Sequence, residues 1–416
     1  MVNAKDRDIL RELGKQVKEI AMLPVQQETI KLWKASNDLK QVRPMVMIDD
    51  LAWHEMDIDG ELILKTEDAF CRGIEERLRR TLYSWKYMRA DMVVEPYVDI
   101  SKIFYGADFG IRTVEQTAAT DPNSGVLSHH YIDQLQTEED IEKIRMPEIV
   151  YDEKATIKNE EMAHYIFDGI LDIRMQGYIM WGYIPFFAPW DRLAEWHGVQ
   201  NALYDLVDRP EFLHKIMSRL TDAHLSMLDQ LEDKGLLSYG QGIVHCSGAY
   251  TDELPAPGFN PQHPRAKDMW TFGAAQMFST VSPAMHKEFE LDYAKKWYSR
   301  FGLVSYGCCE PLHDKIDIIR EIPNLRKISM SPWVDVEKGA ERIGSDFVFA
   351  RKPNPALLAG TTWEPDSVER DLKDTMEKCK RHGCIVQFIL KDLSTVKYQP
   401  QRLHEWAEIA MRVARD

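Results

Sequence analysis

A (β/α)8 barrel carrying an N-terminal helical extension is the fold this sequence predicts, and three observations predict it. Eight short apolar runs are each followed by Pro, Gly or charged residues. Helical patterns lie between runs. No Gly-rich fingerprint follows the first run and no GxxxxGK[ST] occurs, so the doubly wound nucleotide-binding alternative has no support. Residues 1–40 form the expected extension and residues 41–416 the barrel.

Taken in order, the first 40 residues read as helix and stop near "ASNDLKQVRP", where Asn, Asp and Pro break the pattern. The expected strands are "PMVMIDD" (44–50), "DMVVEPYVDI" (91–100), "YIMWGYIP" (178–185) and "GIVHCSG" (242–248). They continue with "GLVSYGCCEP" (302–311), "RKISMSP" (326–332), "DFVFARKPNP" (346–355) and "CIVQFILKD" (384–392). Their apolarity is continuous rather than alternating, the mark of strands buried on both faces. Over 209–235, Leu213, Ile216, Met217, Leu220, Met227, Leu228 and Leu231 repeat at helical spacing between Pro210 and Gly235. Over 282–302, Ser282 caps, Pro283 begins the helix, and Met285, Phe289, Tyr293 and Trp297 form its apolar stripe. The Pro/Gly-rich stretch 247–278 is expected as an insertion over the C-terminal mouth.

The 416 residues carry 67 acidic and 52 basic side chains, a net charge of −15. That balance argues against a nucleic-acid binder, which needs a basic face. No apolar run is long enough to span a membrane. The first twenty residues are charged and amphipathic, unlike a signal peptide. Six cysteines in so long a chain are no disulfide framework, so a reducing cytoplasm is the expected compartment. Cys71, Cys379 and Cys384 read as core.

In a barrel of this kind chemistry gathers at the C-terminal strand ends. The residues there are Asp49, Asp50, Glu95, Asp99, His245, Cys246, Cys308, Cys309, Glu310, Lys352, Lys391 and Asp392. Thiol, imidazole and carboxylate around one mouth suit Zn²⁺. Strand alternation places Tyr306, Cys308 and Glu310 on one side and Cys309 on the other, so one cysteine is the expected ligand and the other packs. Asp49 and Asp50 read either as an acid–base pair or as solvated caps. Lys352 reads either as a holder of an anionic substrate group or as a surface lysine. Tryptophans in turn-like settings, among them Trp53, Trp181 and Trp333, either line an apolar cleft or cover the core edge. No GxSxG, CxxC or HExxH is present.

Four stretches, "ETIKLWKASNDLKQVRPMVMID", "LVDRPEFLHKIMSRLT", "AAQMFSTVSPAMHKEFELDYAKKWYSRFGLVSYGCCEP" and "STVKYQPQRLHEWAEIA", resemble the uroporphyrinogen decarboxylase superfamily. The resemblance covers most of the chain after about residue 28. It implies the barrel fold and either decarboxylation or zinc-dependent methyl transfer with corrinoid proteins. The decarboxylases' Arg-rich segment falls here on "RPMVMIDDLAWHEM", with Arg43 alone, which counts against a polycarboxylate substrate. The methyltransferases' HxCG falls on "YGCCE", where the histidine position is Tyr306 or Gly307. Their later cysteine falls where this chain offers Asp392.

The resemblance therefore implies a cytoplasmic enzyme moving a methyl group from a small methylated compound, such as a methoxy-aromatic one, to a corrinoid supplied by a partner protein. Zinc would be held by Cys308 or Cys309 with Glu310 and His245. Tyr306, Glu310 and Asp392 are the expected catalytic groups, and Trp53, Trp181 and Lys352 the expected substrate contacts. A zinc-activated thiolate acceptor fits the same ligands. A homodimer is implied by the resemblance alone. The alternatives are a decarboxylase holding a carboxylate with Arg351 and Lys352, and a non-catalytic corrinoid- or tetrapyrrole-binding protein.

Overall fold

Apolar runs become parallel strands in the computed structural model, which describes residues 2–119, 127–178 and 185–416. Seven strands form one sheet: β1 (Met45–Ile48), β2 (Phe186–Phe187), β3 (Trp270–Gly273), β4 (Leu303–Tyr306), β5 (Leu325–Met330), β6 (Val348–Arg351) and β7 (Ile385–Leu390). Strands β2 to β7 pair in chain order, β7 returns to pair with β1, and every pairing is parallel. Among the described residues no ladder joins β1 to β2. The described residues thus form a mixed α/β layer with seven parallel strands, and among them the sheet does not close into the eight-stranded barrel expected from the sequence.

Two expected strands depart from the sheet for identifiable reasons. Tyr97–Ser101 pairs instead with Asp172–Gln176 in a separate parallel pair. Only Val98 and Ile100 of that strand are buried, a one-sided pattern that suits a sheet face covered by helices rather than a central strand. Ile243–Val244 and Ser247–Gly248 form a short antiparallel pair, because His245 and Cys246 between them adopt positive φ of 39° and 63°. Of the run 178–185, all but Tyr178 and Pro185 lies outside the described residues. Conversely, "WTFG" within the expected insertion is a fully buried strand of the sheet, β3.

The long helix Pro210–Asp233 matches its predicted pattern. After Ser282, whose hydroxyl accepts from the Met285 N–H at 3.3 Å, the predicted helix is interrupted by a π-helical turn at Lys287–Leu291. The Trp190 indole donates to the Phe289 carbonyl within that turn at 3.1 Å. Helix Ala4–Ala21 packs with Ala69–Tyr87 and Glu153–Phe167 over a core of its own that includes Leu10, Leu13, Val17, Ile74, Ile166 and Phe167. Helix Pro24–Asn37 instead packs on β1 and β7 and buries Trp33 there.

Polar residues knit the inner face of the sheet. The fully buried Lys327 ammonium donates to Ser247 Oγ at 2.9 Å, the Gly248 carbonyl at 2.5 Å and Gln387 Oε1 at 3.2 Å. Trp270 and Trp33 rings lie 5.2 and 5.8 Å from it. Gln387 in turn donates to Ser36 Oγ and Asn37 Oδ1, both at 2.9 Å, tying the helix end to the strands. Burial holds Lys327 well below the usual lysine range. No helix among the described residues is long and apolar enough to cross a membrane.

Candidate active site at the strand ends

Gly307 creates the site's local geometry. Its φ of +94° turns the chain directly after β4, and a Cβ there would collide with the Leu312 side chain. The turn breaks the strand alternation on which Tyr306 and Cys308 would share a side. Tyr306 is fully buried, its hydroxyl 2.6 Å from His286 Nε2 and donating to Glu290 Oε2 at 3.0 Å. The sequence expectation made it a proton donor beside Cys308; the partners of its hydroxyl lie on the helix beginning at Pro283.

Cys308 is only 4% exposed, while Cys309 faces outward. Their sulfurs lie 3.4 Å apart. The Lys391 ammonium stands 3.4 Å from Cys308 Sγ. The Lys352 ammonium donates to the Cys308 carbonyl at 3.0 Å and lies 3.4 Å from His245 Nε2. His245 stacks on Phe272 of β3 at 3.9 Å between ring centres and 4° between planes. The hydrogen bond shared with Cys309, aided by the charge of Lys352 and a hydrogen bond with His245, draws the Cys308 thiol well below its ordinary range. Cys309 is pushed the opposite way, so the pair's negative charge rests on Cys308. Burial would push Lys391 down, but Cys308, Cys246 and Asp392 outweigh it and hold the ammonium above its usual range. Burial chiefly, with Lys352 nearby, lowers His245 to about 4, which leaves its imidazole neutral at pH 7.

Two aspartates at the ends of the adjacent strands β1 and β7 meet next to this group. Asp50 is raised to about 6, first by desolvation of its carboxyl, then by a hydrogen bond with Asp392 and that residue's charge. Asp392 also lies 3.7 Å from Cys309 Sγ and 3.1 Å from the Lys391 ammonium. Asp50 and Asp392 have positive φ of 52° and 58°, as His245 and Cys246 also do. Four non-glycine residues in this sparsely populated conformation, all at strand ends, mark a place where the backbone is held against its preference. The resulting cleft of about 350 Å³ is lined by Cys309, Trp333, Lys352, Lys391 and Asp392, with Pro332, Pro353 and Pro355 at its walls.

The remaining expected residues divide. Lys352 and Asp392 line the cleft, and His245 adjoins it. Trp53 lies elsewhere, 6.0 Å from the Tyr83 ring and under Arg80, in another cleft with His54, Leu62 and Glu76. Trp181 lies outside the described residues. Glu310 is fully buried and turned toward backbone, accepting from the Cys308 N–H at 2.9 Å and the Ala275 N–H at 3.4 Å. Burial raises it, and the nearby Cys308 charge adds to that. Arg351 points out of the mouth, donating to the Ser331 carbonyl at 2.6 Å and pairing with Asp371 at 3.5 Å. Glu95 and Asp99 serve Arg174 instead, at 3.4 and 2.6 Å. Sequence reasoning undervalued three residues: Lys391, Asp50 and Trp333, the last 68% exposed at the cleft rim.

The zinc implied by the resemblance can be tested against these positions. Its expected donors are the two sulfurs, the His245 imidazole and Glu310. Lys391 stands against Cys308, Lys352 stands against His245, and both Glu310 oxygens are given to backbone N–H groups. A dication would share its donors with two ammonium groups, each repelling it by about 8 kcal/mol at a separation of ~4 Å and an effective dielectric of ~20. Among the described residues no three His, Cys, Asp or Glu side chains converge in a metal-binding arrangement. This donor set does not fit the ion.

No family model matches the chain, and no curated protein matches it. Among solved structures the chain is similar to a methyltransferase from Methanosarcina mazei, with 11% sequence identity and a TM-score of 0.50. The match covers 92% of this chain and 97% of that one. At that identity the likeness is one of fold.

Proposed function

We propose that the chain is a methyltransferase that takes a methyl group from a small methylated compound bound in the strand-end cleft and passes it to a corrinoid on a partner protein. The observation that carries this reading is the Cys308 sulfur beside Lys391, adjoining a cleft that Cys309 and Asp392 line. A polarised sulfur and a carboxyl pair at one mouth are what cleavage of a methyl–oxygen bond requires. The departing oxygen needs a proton, and the carboxyl shared by Asp50 and Asp392 supplies one. Trp333 and the flanking prolines offer flat apolar walls that suit an aromatic methoxy compound. The fold shared with a methyltransferase supports methyl as the group moved. Decarboxylation is less well served, since Arg351 points away from the cleft.

The test is to incubate the protein with methoxylated aromatic compounds and chemically reduced free cobalamin, following methylcobalamin by its visible spectrum. Turnover by the wild type and its loss in Asp392→Asn are expected. Release of carbon dioxide from a carboxylated compound, with no methylcobalamin from any methoxylated one, would overturn the reading.

A further inference from the structure

We propose that Cys308 is itself the group that takes up the methyl, in a covalent relay where Lys391 and Lys352 supply the positive charge that a metal would otherwise bring. The inference rests on the site assignment above and not on the identity of the final acceptor.

Lys352 and Lys391 are 3% and 6% exposed, and buried cations require counter-charge. Asp392 answers Lys391 at 3.1 Å. The contacts of Lys352 seen here, the Cys308 carbonyl and the His245 ring, are neutral. A sulfur anion at Cys308 completes the balance, with one ammonium 3.4 Å away and the other bound to the same residue's carbonyl. The geometry then keeps this sulfur in place. Gly307 turns the chain directly before it at a φ of +94°, beside a cleft that Cys309 lines, and the buried Glu310 carboxylate accepts the Cys308 N–H at 2.9 Å. A cysteine that merely fills a core gap would need neither paired ammonium groups nor an anchored N–H. The sulfur of the exposed Cys309 lies 3.4 Å from that of Cys308.

The reaction balances without an oxidant. An electron pair on the Cys308 sulfur forms the S–CH₃ bond while the methyl–oxygen bond breaks, and its electrons leave with the oxygen. The Asp50–Asp392 carboxyl gives that oxygen a proton. In the second half the acceptor's nucleophile attacks the methyl carbon. The C–S bond breaks and its electrons return to the sulfur beside Lys391. The class of ligand is thus a soft alkyl electrophile.

The experiment uses methyl 4-nitrobenzenesulfonate as the methyl donor, with intact-mass and peptide analysis of the full chain and zinc content measured in the same preparations. Expected results are one methyl per chain on Cys308, none on that peptide in Cys308→Ser, and labelling about tenfold slower in Lys391→Met. Cys309→Ser keeps both lysines and serves as the folded control; it is expected to label at Cys308. Labelling confined to Cys309, an unchanged rate in a folded Lys391→Met, or one zinc per chain that is lost in Cys308→Ser would overturn the proposal. A chain that labels at Cys308 yet is inert with methoxylated aromatics and cobalamin would lose the proposed function and retain this inference.

Discussion

Replacing Glu310 by alanine distinguishes a carboxylate that anchors the turn from one that binds a metal or substrate. The wild-type carboxylate is fully buried and accepts two backbone N–H groups, from Cys308 at 2.9 Å and from Ala275 at 3.4 Å. Alanine leaves both donors buried without it. An orphaned buried donor costs about 1–3 kcal/mol. The Cys308 bond is short and the Ala275 bond long, so the pair amounts to about 2–4 kcal/mol, most of it from Cys308. Relief of burying a charge offsets part of this. Equilibrium urea unfolding, read by tryptophan fluorescence, should show the loss. Glu310→Gln should recover roughly half, since its amide oxygen still accepts one N–H while its NH₂ faces the other. A stability change under about 0.5 kcal/mol in Glu310→Ala, with activity abolished, would refute the anchoring argument and restore Glu310 to a direct role.

Other consequences can be checked with the same preparations. Gly307→Ala puts a Cβ against Leu312 at a φ of +94°, and a loss of at least about 2 kcal/mol is expected in thermal unfolding. Asp50 has a folded-state value of about 6, above its ordinary one, so its stabilising contribution is complete in acid and is lost as pH rises through that value. Asp50→Asn should remove that part of the pH dependence of the urea midpoint. Methyl transfer from ether substrates should fall as the same proton is lost. Trp333→Ala, at a 68% exposed site, should raise KM for an aromatic substrate about fivefold while leaving the unfolding midpoint unchanged.

The sequence made the chemistry's address legible more readily than its layout. Runs around Val46, Val304, Ile328, Phe349 and Phe388 became neighbouring parallel strands because two-sided burial is written into continuous apolarity. Trp270–Gly273 was hidden because four residues with two aromatics among them, in a Pro/Gly-rich stretch, look like a loop until a sheet surrounds them. Cys308, His245, Lys352 and Asp392 were traceable to strand ends and do gather. Tyr306 was misplaced by an alternation rule that holds only until a left-handed glycine intervenes. Lys391 and Asp50 were legible as residue types but not as partners, since their roles come from the pairing of β1 with β7, whose residues lie over three hundred positions apart.

The Lys327 knot below the mouth has a bearing on how the chain finds its fold. Its ammonium meets Ser247, Gly248 and Gln387, and Gln387 meets Ser36 and Asn37. Four stretches of chain must arrive together before all of these groups are satisfied. A slip of one residue in β5 would aim the lysine at the opposite face of the sheet, among apolar side chains. The knot therefore works as a proofreading device. Mispaired assemblies carry a stranded charge, and only the assembly that also lines up the strand ends above it escapes that penalty.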